Sequence, residues 1–198
     1  RRLRGATFGV VGLGRIGLAA ARRAAGFEMK VVFYDPHLPN GVDLATGYTR
    51  VQSLEALLAQ SDAVSLHAPY NSETHHLINA AALAHAKPGL LLINTARGPL
   101  IDLDALYQAM KEGQVGGAGL DVLPNEPPTP LPPLLADWAA GADWIKERLL
   151  ITPHAAFFSP PGNLDIRRLA SEVVCHYLRD GKLTNCVNWD AIKHHFKG

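Results

Sequence analysis

The 198-residue sequence has few cysteines, little net charge and no long apolar run, and each shortage excludes a class of protein. Its two cysteines, Cys175 and Cys186, have neither the spacing of a metal site nor the density of a disulfide scaffold. A formal net charge of +1 gives no case for a nucleic-acid partner or an acidic membrane surface. No apolar run reaches the roughly 18 residues of a membrane-spanning helix, and no secretory signal opens the sequence. These shortages favour a cytoplasmic protein with reduced thiols.

What the sequence does contain is a regular alternation of strand-like and helix-like segments. Short apolar runs, many of them rich in β-branched residues, alternate with helical segments from residue 7 onward, and 47% apolar content suffices for one good core. Such alternation requires right-handed crossovers and predicts an α/β fold with a doubly wound parallel sheet, the Rossmann architecture. We predict one domain over residues 1–160 and a C-terminal helix with a tail over residues 161–198. The sequence starts in a basic segment without methionine, so we expect a piece of a longer protein.

The first strand ends in a glycine-rich turn that is typical of a dinucleotide site. The run Thr7–Val11 predicts a buried strand, and Gly12, Gly14 and Gly17 follow before an alanine-rich helix. Gly12 allows the tight turn, Gly14 lets a pyrophosphate approach the backbone, and Gly17 lets helix and strand pack closely. The helix N-terminus offers N–H groups and a positive dipole end to phosphates. A glycine triplet alone is as often a plain turn as a nucleotide site.

An acidic residue at the expected distance strengthens this interpretation. The next predicted strand ends at Asp35, 18 residues after Gly17, which matches the carboxylate that accepts the adenosine ribose hydroxyls. A carboxylate there repels a 2′-phosphate, so the sequence favours NAD(H) over NADP(H). The alternative is that Asp35 is only a turn residue before Pro36.

Several polar residues fall at or just after predicted strand ends. An open parallel sheet binds ligands outside the carboxyl ends of its strands, so we expect these residues to face one crevice. Each also has a plainer interpretation: a buried structural histidine, a solvated loop charge, or, for the proline-rich Pro124–Pro133 segment, a linker. The residues are His67, Asn94, Thr95, Arg97, Asp121, Glu126 and His154.

Taken together, the motifs resemble the nucleotide-binding domain of the D-isomer-specific 2-hydroxyacid dehydrogenases. They occur in family order over nearly the whole chain, and some fragments resemble most closely the C-terminal-binding-protein-like branch, whose members are NAD-dependent homologues that act as transcriptional co-repressors. The family motifs are Gly12-Leu13-Gly14-Arg15-Ile16-Gly17, Leu66-His67-Ala68-Pro69 with Thr74, Asn94-Thr95-Ala96-Arg97-Gly98, Gly119-Leu120-Asp121-Val122, Asn125-Glu126-Pro127 and Thr152-Pro153-His154-Ala155-Ala156. The branch-like fragments are Phe33-Tyr34-Asp35-Pro36, His75-His76-Leu77-Ile78-Asn79 and Asn185-Cys186-Val187-Asn188.

The resemblance implies an NAD-dependent oxidoreductase that interconverts a D-2-hydroxyacid and its 2-keto acid. His154 would be the acid/base, because an imidazole titrates near neutral pH. Glu126 would orient that imidazole and favour its charged form. Arg97 would bind the substrate carboxylate and polarise the carbonyl.

The resemblance also implies a set of cofactor-binding residues, with Asp121 at the nicotinamide carboxamide. No metal is implied, and we interpret His75 and His76 as surface residues. The implied partners are a small 2-hydroxy or 2-keto acid and a second copy of the chain, with the proline-rich segment as a candidate contact region. The cofactor-binding set comprises Gly12, Gly14, Arg15, Ile16, Gly17, Tyr34, Asp35, His67, Ala68, Pro69, Thr74, Thr95, Ala96, Arg97, Asp121, His154 and Ala156.

Two departures from the family pattern keep other functions open. Family members begin with a substrate lobe of about a hundred residues, a usual domain size, and here the glycine motif opens the sequence. The C-terminal helix and tail would return to that lobe, so we expect this chain to bind NAD(H) but to reduce 2-keto acids poorly. In the co-repressor branch a tryptophan follows the catalytic histidine by three positions, whereas here Phe157 does. The alternative functions are an NAD(H)-sensing binding module with vestigial catalysis and a plain NAD-binding fragment.

Overall fold

The computed structural model describes residues 2–196, so the outer ends of the two predicted domains, residue 1 and residues 197–198, lie outside the described residues. The chain divides into two compact units, one up to Ala156 and one from Phe157 onward. The predicted division after residue 160, with its tail returning to a second lobe, stays a prediction. No helix in the described range is both long and apolar enough to cross a membrane.

The first unit is built on a seven-stranded parallel sheet in the order β3-β2-β1-β4-β5-β6-β7. The sheet grows outward in both directions from β1 and β4, which confirms the predicted doubly wound α/β fold. The strands are β1 Thr7–Val11, β2 Lys30–Tyr34, β3 Thr49–Arg50, β4 Ala63–Leu66, β5 Leu90–Asn94, β6 Val115–Leu120 and β7 Leu149–Ile151.

Side-chain caps start several of the helices at the positions that the sequence indicates. The Ser53 hydroxyl accepts from the N–H of Ala56, and Asp102 accepts from the N–H groups of Asp104 and Ala105. The helices of the first unit are α1 Arg15–Gly26, α2 Val42–Thr46, α3 Leu54–Gln60, α4 Ala80–Leu83, α5 Leu103–Lys111 and α6 Pro133–Ala139. The second unit contains α7 Pro160–Asp180, α8 Trp189–Ile192 and a 3₁₀ turn, Lys193–Phe196.

The alanine-rich segment over residues 80–86 predicts a single helix that Pro88 and Gly89 stop, and α4 is shorter than this. It ends at Leu83, and a turn carries the chain through Ala86. The residue before a proline is disfavoured in the helical region, so Lys87, which precedes Pro88, has to lie outside the helix.

The two faces of the sheet have separate cores. On one face α3 packs against β1 and β2 and α5 packs against β6, and on the other face α1 packs against β1 and β2. The continuous apolar run Leu90-Leu91-Leu92-Ile93 predicts a strand buried on both faces, and this prediction is wrong at Leu91, which is 37% exposed. Leu91 pairs in register with Gly117, and Gly119 lies farther along the same strand, so β6 offers no side chain to cover this part of the face.

The carboxyl ends of six strands lie at one level. The register pairs Val11 with both Tyr34 and Leu66, and continues from Leu66 across β5, β6 and β7. The residues in this row are Tyr34, Val11, Leu66, Asn94, Leu120 and Ile151, in sheet order. The segments that follow them therefore leave the same edge of the sheet, side by side.

Candidate active site

The glycine turn after β1 has the geometry that its sequence predicts. Gly12 has φ +86°, and a Cβ on it would lie 2.8 Å from the backbone nitrogen of Ala68. A Cβ on Gly17 would overlap the carbonyl oxygen of Gly12. Around Gly14, by contrast, a Cβ would meet nothing within 4 Å. Gly12 and Gly17 therefore allow close packing, and Gly14 leaves room for a ligand.

The N-terminus of α1 next to this turn is suited to an anion. Gly14 is its N-cap, no side chain accepts a hydrogen bond from the first turn, and the first turn contains no acidic residue. The first N–H groups of a helix have no partner within the helix, and the dipole favours negative charge there. The residues present thus fit the pyrophosphate of a dinucleotide.

Asp35 lies beside this turn, at the end of β2. One carboxylate oxygen accepts from the N–H of Leu13 at 2.9 Å, and the other accepts from the N–H of His37 at 3.0 Å. Arg50 fixes the segment that follows, because its guanidinium donates to the carbonyl oxygens of Asp35, Leu38 and Pro39. The carboxylate is thereby held next to the glycine turn.

A cavity of about 350 Å³ opens between Asp35 and the loop after β4. The Thr74 hydroxyl donates to the carbonyl oxygen of Pro69 and accepts from the N–H of Asn71, so it holds this loop in shape. The predicted residues that line the cavity are Gly12, Tyr34, Asp35, Ala68, Pro69 and Thr74, and the sequence reasoning missed His37, Asn71, Glu73 and Leu77. An adenosine would fit the chemistry of this end of the cleft.

A second cavity, of about 530 Å³, lies over the ends of β4 and β5. Ile16 lines it and is 68% exposed although it is apolar. The other predicted residues in the lining are His67, Ala68, Pro69, Thr95, Ala96 and Arg97, joined by Tyr70. This cavity and the previous one share Ala68 and Pro69, so the two form adjoining parts of one cleft.

His67 is partly buried at the end of β4, and its Nε2 lies 2.9 Å from the Ser65 hydroxyl. Burial lowers the pKa of His67 below its ordinary value of 6.5, because it penalises the charged imidazolium. The folded state then binds fewer protons than the unfolded chain around that pH, so the free energy of unfolding decreases on acidification below 6.5.

We expect His67→Gln, which keeps a polar group near the Nε2 position, to reduce this acid sensitivity. Urea unfolding of both proteins at pH 8 and pH 5.5 gives the loss of stability between the two values. That loss should be smaller in the variant, while His85→Gln, a change on an exposed turn, should leave it as in the wild type. An unchanged loss in His67→Gln would refute the assignment.

The loop after β5 is fixed from inside by a buried amide. Asn94 is fully buried; its Nδ2 donates to the carbonyl oxygen of Arg97 at 2.9 Å, and its Oδ1 accepts from the N–H of Ala96 at 3.0 Å. The Arg97 guanidinium donates one of its N–H groups to the carbonyl oxygen of Ala96 at 2.6 Å and is otherwise exposed. The N–H of Ala96 is thus committed to Asn94, while its carbonyl oxygen, which accepts one bond from Arg97, keeps a second lone pair for a cofactor contact.

Glu126 and His154 are the predicted pair that the structure brings into direct contact. His154 Nδ1 lies 2.7 Å from Glu126 Oε2, and the other carboxylate oxygen accepts from the N–H of Leu123 at 2.8 Å. The hydrogen bonds from His154 and then from Leu123 lower the pKa of Glu126, so the carboxylate stays ionised near neutral pH. The side chains of Glu126 and His154 are both partly exposed, at the edge of the cleft.

Asp121 is buried just beneath this pair, at 5% exposure. Its carboxylate accepts from the Thr152 hydroxyl at 2.5 Å and from the N–H groups of Ala155 at 2.8 Å and Ala156 at 2.9 Å. Burial by itself raises the pKa of Asp121, but these three hydrogen bonds outweigh it, so the pKa lies below its ordinary value. The N–H of Ala156 is committed to Asp121, which leaves its methyl and carbonyl groups for any cofactor contact.

Arg97 and His154 lie in neighbouring parts of the same edge. Each follows the end of its strand by three residues, and β5 and β7 are separated only by β6. Arg97 lines the second cavity, whereas Asp121, Glu126 and His154 line a third, of about 440 Å³, together with Thr152 and Trp138. The loops also touch, because a Cβ on Gly98 would overlap the carbonyl group of Leu123.

Among residues 2–196 no group of three or more histidine, cysteine or acidic side chains could hold a metal ion. The rings of His75 and His76 stack against each other, with 3.9 Å between their centroids.

The sequence reasoning missed Thr152 as part of the site, although its position two residues before His154 was a usable signal.

Residues 1–156 match the family model described as the NAD-binding domain of the D-isomer-specific 2-hydroxyacid dehydrogenases. The chain belongs to this family. The predicted family and the predicted NAD(H) cofactor are thereby confirmed, while the finer placement in the C-terminal-binding-protein-like branch stays a prediction.

Three relatives of this dehydrogenase domain illustrate the likeness. A glyoxylate reductase of Korarchaeum cryptofilum is 40% identical over 189 residues, which are 96% of this chain and 54% of that protein. The apo structure of Rhodotorula graminis D-mandelate dehydrogenase has a TM-score of 0.77 and 37% identity over 89% of this chain and 49% of its own. Aquifex aeolicus D-lactate dehydrogenase, in complex with NAD and lactic acid, has a TM-score of 0.76 and 37% identity over 90% of this chain and 55% of its own. The chain spans about half the length of these relatives.

We expect replacement of Asp35 in this dehydrogenase domain to change the choice of coenzyme. Asp35→Asn keeps an acceptor for Leu13 but removes the charge that repels a 2′-phosphate, so NADPH should bind at least about 10-fold more tightly relative to NADH. Fluorescence titration with each coenzyme measures this ratio. Asp43→Asn removes the same charge from α2, outside the cavity lining, and should leave the ratio unchanged. An unshifted ratio in Asp35→Asn would show that Asp35 does not select the coenzyme.

Proposed function

We propose that this chain is the cofactor-binding half of an NAD-dependent oxidoreductase that interconverts a D-2-hydroxyacid and its 2-keto acid. The observation that carries the proposal is the Glu126–His154 pair, 2.7 Å apart, at the sheet edge where the cleft lies. A domain that only senses NAD(H) needs neither this pair nor Arg97 beside it. The pair therefore favours the enzyme over the binding-module alternative.

Different parts of NAD(H) would contact different residues along the sheet edge. The glycine turn and the N-terminus of α1 would take the pyrophosphate, and Asp35 with Tyr34 and Thr74 would surround the adenosine. Ile16, His67 and the loop after β5 would line the nicotinamide end. Arg15, at the start of α1, lies close enough along the chain to contribute positive charge to the phosphates.

When bound, the reduced coenzyme supplies the hydride that goes to the carbonyl carbon of the keto acid. His154 donates a proton to the carbonyl oxygen and, in the reverse direction, removes it from the hydroxyl. Since Nδ1 is bound to Glu126, we assign Nε2 to this transfer, and Glu126 holds the ring in its orientation. Arg97 offers a permanent positive charge and several N–H donors to the substrate carboxylate.

The substrate class is a small 2-keto acid. The relatives are named for glyoxylate, D-lactate and D-mandelate, whose side chains range from hydrogen to an aromatic ring. We further propose a cytoplasmic homodimer and a substrate lobe outside the described residues, contacted by the C-terminal helix and tail. Without such a lobe, closure and water exclusion are lost, so the isolated chain should turn over poorly.

A keto-acid panel tests the proposal. The gene product at its natural length is assayed with NADH and glyoxylate, pyruvate, phenylpyruvate or phenylglyoxylate, and the loss of NADH absorbance is recorded. At least one acid should be reduced, and where its product is chiral, as with pyruvate, phenylpyruvate and phenylglyoxylate, the D-hydroxyacid but not the L-isomer should reduce NAD⁺. NADH binding without reduction of any acid would contradict the enzyme and favour the sensor.

A further inference from the structure

We infer that Thr152 is a positioning residue for His154, acting through the buried carboxylate of Asp121. This inference rests on the proposed function, because it concerns the same proton transfer. The Thr152 hydroxyl is joined by two hydrogen-bonded steps to the backbone of the turn after β7, and this turn carries the imidazole.

The first step is the bond between Thr152 and Asp121. The hydroxyl donates to Asp121 Oδ1 at 2.5 Å, and the same oxygen accepts from the N–H of Ala155 at 2.8 Å. Thr152 is itself exposed, but the carboxylate that it binds is 5% exposed. A buried carboxylate depends on its donors, and a hydrogen bond to a charged group contributes about 1.5–3 kcal/mol.

The second step joins Asp121 to the turn at His154 and at the two residues that follow it. The backbone carbonyl of Asp121 accepts from the N–H of His154 at 2.9 Å, and its side chain accepts from Ala155 and Ala156. Asp121 thus accepts hydrogen bonds from three successive N–H groups of the segment that carries the imidazole. Thr152, at the end of β7, adds a fourth hydrogen bond to the same aspartate.

The turn needs this support because His154 has φ +51°. A non-glycine residue in the left-handed region is disfavoured and persists only where its surroundings hold it. The side-chain direction of His154 follows from this backbone conformation, and the 2.7 Å contact with Glu126 depends on that direction. Loss of the Thr152 hydroxyl should therefore loosen the backbone of the turn and let the imidazole leave Glu126.

Two substitutions separate the hydroxyl from the shape of the side chain. Thr152→Val keeps the volume and the β-branch but removes the donor, whereas Thr152→Ser keeps the donor and removes a methyl group. Thr49→Val makes the same atomic change on the edge strand β3, at the opposite side of the sheet. All three variants are prepared in the natural-length protein, and their thermal stability is compared with the wild type.

The kinetic readout is the split between kcat and the binding constants. We expect Thr152→Val to lower kcat for keto-acid reduction at least about 10-fold, since misplacing a reacting group by about 1 Å can cost about 100-fold. The KM for the keto acid and the Kd for NADH should change less than kcat does, because the glycine turn, Asp35 and Arg97 are untouched. Thr152→Ser should restore kcat to within about threefold of the wild type.

A second readout does not need turnover. Ring ¹⁵N shifts in long-range ¹H–¹⁵N spectra report which imidazole nitrogen carries the proton, and His154→Gln identifies the His154 signals. At a pH where the ring is neutral, the Glu126 contact favours the Nδ1–H tautomer in the wild type. Thr152→Val should reduce the fraction of this tautomer, and Thr152→Ser and Thr49→Val should preserve it.

The outcomes are distinguishable. A fall in kcat with a shifted tautomer in Thr152→Val, rescued by Thr152→Ser, supports the positioning role. Unchanged tautomer and kcat in Thr152→Val overturn it, as does an equal loss in Thr152→Ser, which would indicate packing of the methyl group. If the wild type reduces no keto acid, the proposed function fails, and the tautomer measurement alone still decides the role of Thr152.

Discussion

Replacing His154 with glutamine is expected to lower kcat for 2-keto-acid reduction by about 100- to 10,000-fold, the usual contribution of general acid–base catalysis. Glutamine can still donate a hydrogen bond to the carbonyl oxygen but cannot transfer a proton at neutral pH. His154 is also in the predicted cofactor-binding set, but the glycine turn and Asp35, which would hold the pyrophosphate and the adenosine, are unchanged, so NADH binding should largely survive.

Stopped-flow mixing of the NADH-loaded natural-length protein with keto acid measures this step, and fluorescence titration measures the Kd for NADH. His85→Gln, on an exposed turn before β5, is the matched control and should retain wild-type kcat. A His154→Gln variant with more than about a tenth of the wild-type kcat would be outside the range for a lost acid–base group and would remove His154 from the proton transfer.

The second large effect is expected from Gly98→Ala, a change of one methyl group. A Cβ at Gly98 would overlap the carbonyl group of Leu123 and lie 2.4 Å from the nitrogen of Pro124, and all of these atoms are backbone that no rotamer change can move aside. The loop after β6 must then shift, and that loop includes Leu123, whose N–H binds Glu126. We expect a loss of about 1–3 kcal/mol in the free energy of unfolding, typical of overpacking.

Turnover should fall with it, at least about 10-fold, because the displaced loop moves Glu126 relative to His154. Gly119→Ala is the control: it adds the same methyl group to β6, at a position where a Cβ meets nothing within 4 Å. Urea unfolding and steady-state kinetics of both variants are the measurements. If Gly98→Ala and Gly119→Ala behave alike, the contact between the two loops does not position Glu126.

The sequence predicted the sheet well because its strands and turns obey local rules. Thr7–Val11 and the glycines that follow contain their own strand, turn and helix start, and the structure has them at the predicted residues. The prediction for β5 was wrong at Leu91 because coverage of a strand face depends on what its neighbours offer. Neighbouring β6 offers glycine, which an apolar run in β5 cannot reveal.

The site was harder to predict wherever a residue's partner lies far away in sequence. Glu126 and His154, 28 residues apart, were paired from family motifs, and the structure gives the contact. The engagement of Asp121 by Thr152 and two backbone N–H groups depends on how the end of β6 meets the end of β7, which no local pattern encodes. The same holds for Ala96, whose backbone polar groups form hydrogen bonds with Asn94 and Arg97.

The level row of strand ends has a practical consequence for inserting tags or whole domains. Removing one residue from within β6 would draw Asp121 back by about 3.3 Å and turn its neighbours to the opposite side. The connections at the far edge, such as those around Gly89 and Gly113, enter the strands rather than leave them. Sequence inserted there would lie at the edge opposite the cleft. This edge is therefore the better place to insert a reporter domain.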